Sequence, residues 1–97
     1  MTNSRTGGAL LRAWRAGENV SEQEAARRLE ACRAAGRPES LELSQVEAAA
    51  FLGVSQSALS SWETDEKMPR IPLAAHIERV THGKCPVMSW AVSGEAA

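Results

Sequence analysis

The sequence predicts an all-α domain, and three observations carry that prediction. Tyr is absent and Phe occurs once while alanine is abundant, so the β-branched and aromatic residues that strands favour are scarce. Two capping boxes stand ahead of apolar runs, Ser21 with Glu24 and Ser44 with Glu47. The apolar residues between these signals recur at helical spacing. The 97 residues suffice for one small domain with one core. Apolar residues at 43% and charged residues at 24% are ordinary for a globular chain. The longest apolar run, Ala48 to Leu52, is far too short to cross a membrane, and no secretory signal is visible. Cys32 and Cys85 lie far apart and form no CxxC, which predicts a reduced, cytoplasmic chain with two free thiols.

The elements follow in order. Met1 to Thr6 is polar and expected to fray. From Gly8 to Ala16, Leu10, Leu11 and Trp14 share one helical face, and Gly17 is the stop. Ser21 opens a second helix with Ala25, Leu29 and Cys32 on one side, closed by Gly36-Arg37-Pro38. Ser44 opens a third, to Leu52. Gly53 makes a turn, and Ser55 caps a fourth helix from Gln56 to about Thr64. Pro72 suits the first turn of a fifth, carrying Leu73, Ile77 and Val80 and closed by Gly83. Val87 to Val92 read as one last apolar turn. The expected organisation is a single domain: N-terminal helices over 7–37, the working motif over 44–64 and C-terminal helices over 70–92. Both Ser21–Leu29 and Ser44–Leu52 read SxxEAAxxL. Duplication or chance likeness of capped Ala-rich helices explains the echo; only the second copy leads into a turn and another helix.

Two short helices around a Gly-centred turn, over Leu43 to Pro69, form the pattern of a helix-turn-helix, and the pattern points to sequence-specific DNA binding. Ala49 is small, as a close helix crossing requires. Gly53 suits the positive φ of the turn, and Val54 fills the corner. On the fourth helix Ala58, Leu59 and Trp62 form an apolar back. Gln56, Ser57 and Ser60 form a polar front, with Ser61 beside them. Gln56 is the one side chain there able to make a bidentate contact, with adenine N6 and N7.

The string SQxxxAxxxGVSQxxxSxWE, from Ser44 to Glu63, resembles the Cro/C1 (XRE) family of phage and bacterial repressors. IPLAAHIERVTHGK, from Ile71 to Lys84, resembles the IERxTGGK segment of Cro-like and YdaS-type regulators. The resemblance implies a five-helix lambda-repressor-like fold, here with an additional N-terminal helix. It implies a transcriptional regulator, a repressor acting as a homodimer on a palindromic site of double-stranded DNA. It implies that Gln45 caps the first motif helix and contacts phosphate, and that Gln56, Ser57, Ser60 and Ser61 face the major groove. Ser55, Lys67 and Arg70 complete the expected DNA-binding set. Glu63 is expected to pair with an Arg from the preceding helix, and Arg33 is the candidate. The family usually has Gly where this chain has Asp65; Asp tolerates the left-handed conformation.

Charge is unevenly spread. Residues 1–37 carry seven Arg against four Glu, residues 38–66 six acids and no Lys or Arg, and residues 67–97 four bases against two acids. A phosphate clamp must therefore draw on flanking bases such as Arg27, Arg28, Arg70, Arg79 and Lys84, helped by helix N-termini. Val46, Ala50 and Phe51 form an apolar stripe on the outer side of the first motif helix, where Leu10, Leu11 and Trp14 are expected to pack, the alternative being a dimer contact. Trp14 and Trp90 read as core anchors and Cys32 as buried, with Cys85 a candidate for exposure. His76 and His82 lack metal-ligand spacing, the serines have no hydrolase context, and no Gly-rich phosphate loop is present. No enzyme activity, cofactor or metal is expected. A second reading is a protein-interaction module, such as an antitoxin-like adaptor, whose partner binds the acidic middle or the apolar tail Cys85 to Val92.

Overall fold

The computed structural model describes residues 6–90. Met1 to Arg5, from the Met1–Thr6 stretch expected to fray, and the last two residues of the expected Val87–Val92 turn lie outside them; Thr6 does not fray but is the N-cap of α1. The described residues form α1 (Gly7–Ala16), α2 (Glu22–Ala35), α3 (Gln45–Leu52), α4 (Gln56–Glu63) and α5 (Ile71–Val80). A sixth helix, α6, starts at Val87 and reaches the last described residue, Trp90. No strand occurs among the described residues. The all-α expectation is met, with boundaries within a residue or two of those expected. The physical reason is that each start and stop carried its own signal. Thr6, Ser21, Ser44 and Ser55 each accept a hydrogen bond from a first-turn N–H, and Gly17, Gly36 and Gly53 end α1, α2 and α3.

The start of α1 is placed by two glycines. A Cβ on Gly8 would overlap the Trp62 carbonyl, and a Cβ on Gly7 would overlap the Trp90 indole. α1 thus lies directly on the end of α4 and under α6. Asp65, in the left-handed region at φ 62, locks this crossing. Its carboxylate accepts from the Thr6 hydroxyl at 2.8 Å and the Gly8 N–H at 3.2 Å. A carboxylate beside a helix N-terminus is favourable on electrostatic grounds as well. The tolerance of Asp for this conformation was expected; its grip on α1 was not.

One core joins α1, α3, α4, α5 and the C-terminal turn through Leu11, Trp14, Leu52, Leu59, Ile77 and Trp90. Thr81, fully buried, returns its hydroxyl to the Ile77 carbonyl at 2.8 Å and accepts the Cys85 N–H at 3.2 Å. Glu78 receives the Val87 N–H at 2.9 Å, which seats α6. Cys85, a candidate for exposure, is instead fully buried. Burial pushes its thiol up to about 11. The tail follows Cys85 inward because Trp90 packs on Gly7. Its Cys85 and Trp90 are core and offer no partner surface, whereas Met88 between them is exposed.

α2 is held differently, by a buried ion pair. Glu24 and Arg28 lie at i and i+4, 2.7 Å apart, with side chains 2% and 1% exposed. Arg28 also donates to the carbonyls of Trp14 at 2.8 Å and Leu41 at 2.7 Å, and its guanidinium lies 4.6 Å from the Trp14 ring centroid. Arg28 is therefore no phosphate contact, correcting its inclusion among the flanking bases. The Ser21 box is also only half formed. Ser21 accepts the Glu24 N–H, while the Glu24 carboxylate turns to Arg27 and Arg28 instead. Phe51 of the apolar stripe has the Trp14 ring at 6.1 Å and the Arg27 guanidinium at 4.2 Å, yet stays 41% exposed. Val46 and Ala50 are exposed too, so α1 touches one end of the stripe without burying it, against the expected packing.

Gly8→Ala is expected to destabilise the protein by about 1–3 kcal/mol, since backbone must yield to the added methyl. A thermal melt superposable on that of the parent would contradict the crossing described. Burial raises the Glu24 carboxyl, but the hydrogen bonds from Arg27 and Arg28 and their charges outweigh it and hold the group below its ordinary 4.5. Its contribution is present above that value and is lost as pH falls through the depressed folded value, because the unfolded chain takes the proton first. The stability gap between the parent and Glu24→Gln should therefore be widest at neutral pH and close in acid. A gap that stays constant in denaturant titrations from pH 7 to pH 3 would refute this assignment.

Candidate nucleic-acid interface

The interface begins with two capped helices and the turn between them. Ser44 accepts the Glu47 N–H at 3.1 Å while Glu47 accepts the Ser44 N–H at 2.9 Å, a complete capping box. The hydrogen bond from the Ser44 N–H is the chief reason the Glu47 carboxyl lies below its ordinary value. At the far end Gly53, at φ 76, ends α3, and the Val54 N–H returns to the Ala49 carbonyl at 2.9 Å. An added Cβ on Gly53 would meet nothing, so glycine is required there by the backbone angle alone. Ser55 then caps α4 by accepting the Ala58 N–H at 3.1 Å.

Burial along α4 follows the expected faces. Leu59 and Trp62 are buried and Ala58 half-buried; Gln56 and Ser57 are exposed; Ser60 and Ser61 are half-buried. The Ser61 carbonyl accepts the N–H groups of Glu66 at 3.0 Å and Lys67 at 3.3 Å, so the turn after α4 folds back and keeps Lys67 beside the helix end. Lys67 and Arg70 are both exposed. Arg70 is the N-cap of α5 and provides no side-chain cap, and Pro72 lies in that first turn. The first turn of α5 therefore stands next to an exposed cation.

Glu63 is the centre of the site. Its carboxylate is almost wholly buried and accepts three donors from two other helices. Arg15 of α1 binds in bidentate fashion, Nε at 2.7 Å and Nη2 at 3.1 Å, and Gln45 Nε2 of α3 adds a bond at 3.1 Å. Gln45 Oε1 then accepts from Gln56 Nε2 at 3.4 Å. A line of hydrogen bonds thus runs from the interior through the first residue of α3 to the first residue of α4. The partner of Glu63 is Arg15, correcting Arg33, which pairs instead with Glu30 and Glu39 at 3.0 Å each. Arg33 projects from the exposed side of α2, whereas Arg15 ends the helix that crosses α4. Arg15 follows Trp14 directly and so borders the apolar face of α1, and a residue bordering that face meets the next helix; this is the signal the sequence offers for it. By this pairing α1, and not α2, supplies the cation that answers Glu63.

The other expected residues stand apart from this line. His76 Nε2 lies 3.0 Å from the Leu52 carbonyl and joins α5 to the end of α3. His82 is exposed, with Nδ1 2.8 Å from the Ser21 hydroxyl. Arg79 and Lys84 are exposed cations. Among the described residues no group of three or more His, Cys, Asp or Glu side chains is placed to hold a metal. No helix among them is long and apolar enough to cross a membrane.

Two abutting capped helices, a polar exposed front and a buried carboxylate fixing that front define a helix-turn-helix. Residues 39–82 match a family model described as Helix-turn-helix, HTH_3. That segment is a DNA-binding helix-turn-helix of the Cro/C1 (XRE) type, as its residues had suggested. The match takes in α3, α4 and α5 and excludes α1 and α2. No curated protein and no solved structure matches the chain.

Arg15→Met strands the Glu63 carboxylate in the interior and is expected to cost about 3 kcal/mol, the lower end of the range for breaking a buried pair. Arg33→Met should cost less than about 1 kcal/mol, since both its partners are exposed. Chemical denaturation of the two variants side by side checks the reassignment; equal losses would reverse it.

Proposed function

We propose that the protein is a sequence-specific transcriptional regulator that binds double-stranded DNA as a homodimer and represses by occluding its operator. The observation that carries this reading is the line Glu63–Gln45–Gln56. Gln56 is held by one amide hydrogen, so its second hydrogen and its oxygen stay open to the N7 and N6 of an adenine, a contact worth about 1–3 kcal/mol of discrimination. Gln45, at the exposed end of α3, approaches phosphate. Ser55, Ser57, Ser60 and Ser61 are short and line the groove around Gln56, while Lys67 and Arg70, with the first turn of α5, clamp the backbone. The neutral reading face makes the affinity of one copy modest. Two copies with their α4 helices about 34 Å apart on a palindrome supply the rest.

A second reading, an adaptor that binds a protein, is favoured by one observation. Val46 is 60% exposed on the outer side of α3, in the segment that carries six acids and no base. A basic partner with an apolar patch fits that surface.

Fluorescence anisotropy on the DNA upstream of the gene separates the two. Binding should weaken steeply as salt rises, because phosphate contacts dominate affinity. Gln56→Ala should lose roughly 1–3 kcal/mol on the specific site and nothing on random duplex. Binding indifferent to salt, or a Gln56→Ala protein with undiminished sequence preference, would sink the regulator reading in favour of the adaptor.

A further inference from the structure

We infer that Arg28 of α2 is a positioning residue for DNA reading, although α2 contributes no side chain to the reading face. The inference rests on the assignment of Gln45 and Gln56 as DNA contacts made above. Arg28 sits where the two supports of Glu63 originate. On one side its Nη1 donates to the Trp14 carbonyl at 2.8 Å and reaches the Arg15 carbonyl at 3.4 Å, at the last turn of α1. On the other it donates to the Leu41 carbonyl at 2.7 Å, in the segment leading into α3. The two are stitched together beyond it. The Leu43 N–H donates to the Arg15 carbonyl at 2.8 Å, and Arg15 Nη1 donates to the Leu43 carbonyl at 3.2 Å. Gly17 is pressed against Leu41 so closely that an added Cβ would lie 2.7 Å from the Leu41 carbonyl oxygen.

Arg15 and Gln45 both terminate on Glu63, and Gln45 in turn holds Gln56. The position of the α1 end relative to the α3 start therefore sets the aim of Gln56, and Arg28 bridges the two. Stability alone is a weak reason for such a group. Desolvating an ion pair often cancels its Coulomb gain, and apolar replacement of the whole pair is frequently neutral. Arg28 even leaves Nη2 buried with no hydrogen-bond partner among the described residues. What an apolar replacement cannot reproduce is a guanidinium whose Nη1 reaches the Trp14, Arg15 and Leu41 carbonyls while its Nε holds Glu24. The buried pair sets one arrangement of α1 against α3 and, through it, one orientation of the glutamine pair.

The test uses the full chain with Glu24 and Arg28 replaced together, Glu24→Gln with Arg28→Met, so that no charge is left stranded. Its fold is checked by circular dichroism. The first readout needs no DNA: the side-chain amide resonances of Gln45 and Gln56 in nitrogen–proton spectra. They should shift toward those of a Glu63→Gln protein, in which the line is broken at its source. The second is the ratio of affinities for the operator and for the same duplex with the read adenine changed. That ratio, at least about fivefold in the parent by the glutamine contact, should fall toward one, with the salt dependence unchanged. A purely structural role predicts a lower melting temperature with amide resonances and ratio as in the parent, and that outcome overturns the inference. A parent protein with no adenine preference would fail the regulator reading, while the amide resonances would still decide the role of Arg28. Should the double variant not fold, Arg28→Lys, which retains the charge beside Glu24, is read in the same two ways.

Discussion

The carboxylate of Glu63 is the constraint on which the rest of the structure depends. It lies on the buried side of α4 with little access to water, so its charge must be matched from within the protein. The donors come from α1 and α3, which leaves few ways for these helices to sit. The Gly8 crossing fixes the other end of α1 against the end of α4. With both ends of α1 fixed, the core between Leu11, Trp14 and Leu59 closes without further choice. The exposed Gln56 then inherits its orientation from the interior through Gln45.

α2 shows how a helix is attached to this core with little apolar burial. It buries little apolar surface and attaches by charge and hydrogen bonds, with Glu24, Arg28 and Cys32 as its buried residues. Arg27 lies over the Phe51 ring at one end of the apolar stripe on α3. The family match begins after α2 and contains neither α1 nor α2, yet Arg15 of α1 is the residue that pairs with Glu63. The family likeness resides in α3 to α5, while the support of their reading face reaches back to α1 and α2.

Much of this was legible in the chain because helix ends are written locally. Caps such as Ser44 and Ser55, the left-handed Gly53 and the two faces of α4 depend on residues within one turn of each other. Less legible was anything depending on which helix meets which. The Arg27-Arg28 pair looks like a solvated face when read alone. Yet Glu24 four residues ahead of Arg28 was a visible hint of an ion pair. Its burial follows from carbonyls of Trp14 and Leu41, more than a dozen residues away on either side. Cys85 likewise gave no sign that Trp90 would draw the tail onto Gly7.

By itself, then, the sequence determined the helices, the turn, the helix-turn-helix type and the polar residues on the exposed side of α4. These follow from caps, periodicity and backbone angles, all short-range. The tertiary structure alone decided that Arg15 and not Arg33 answers Glu63, that Arg28 is interior, and that Gln45 and Gln56 are joined. The reason is that a buried charge takes whichever partner the packing delivers, and packing is set by contacts far apart in the chain.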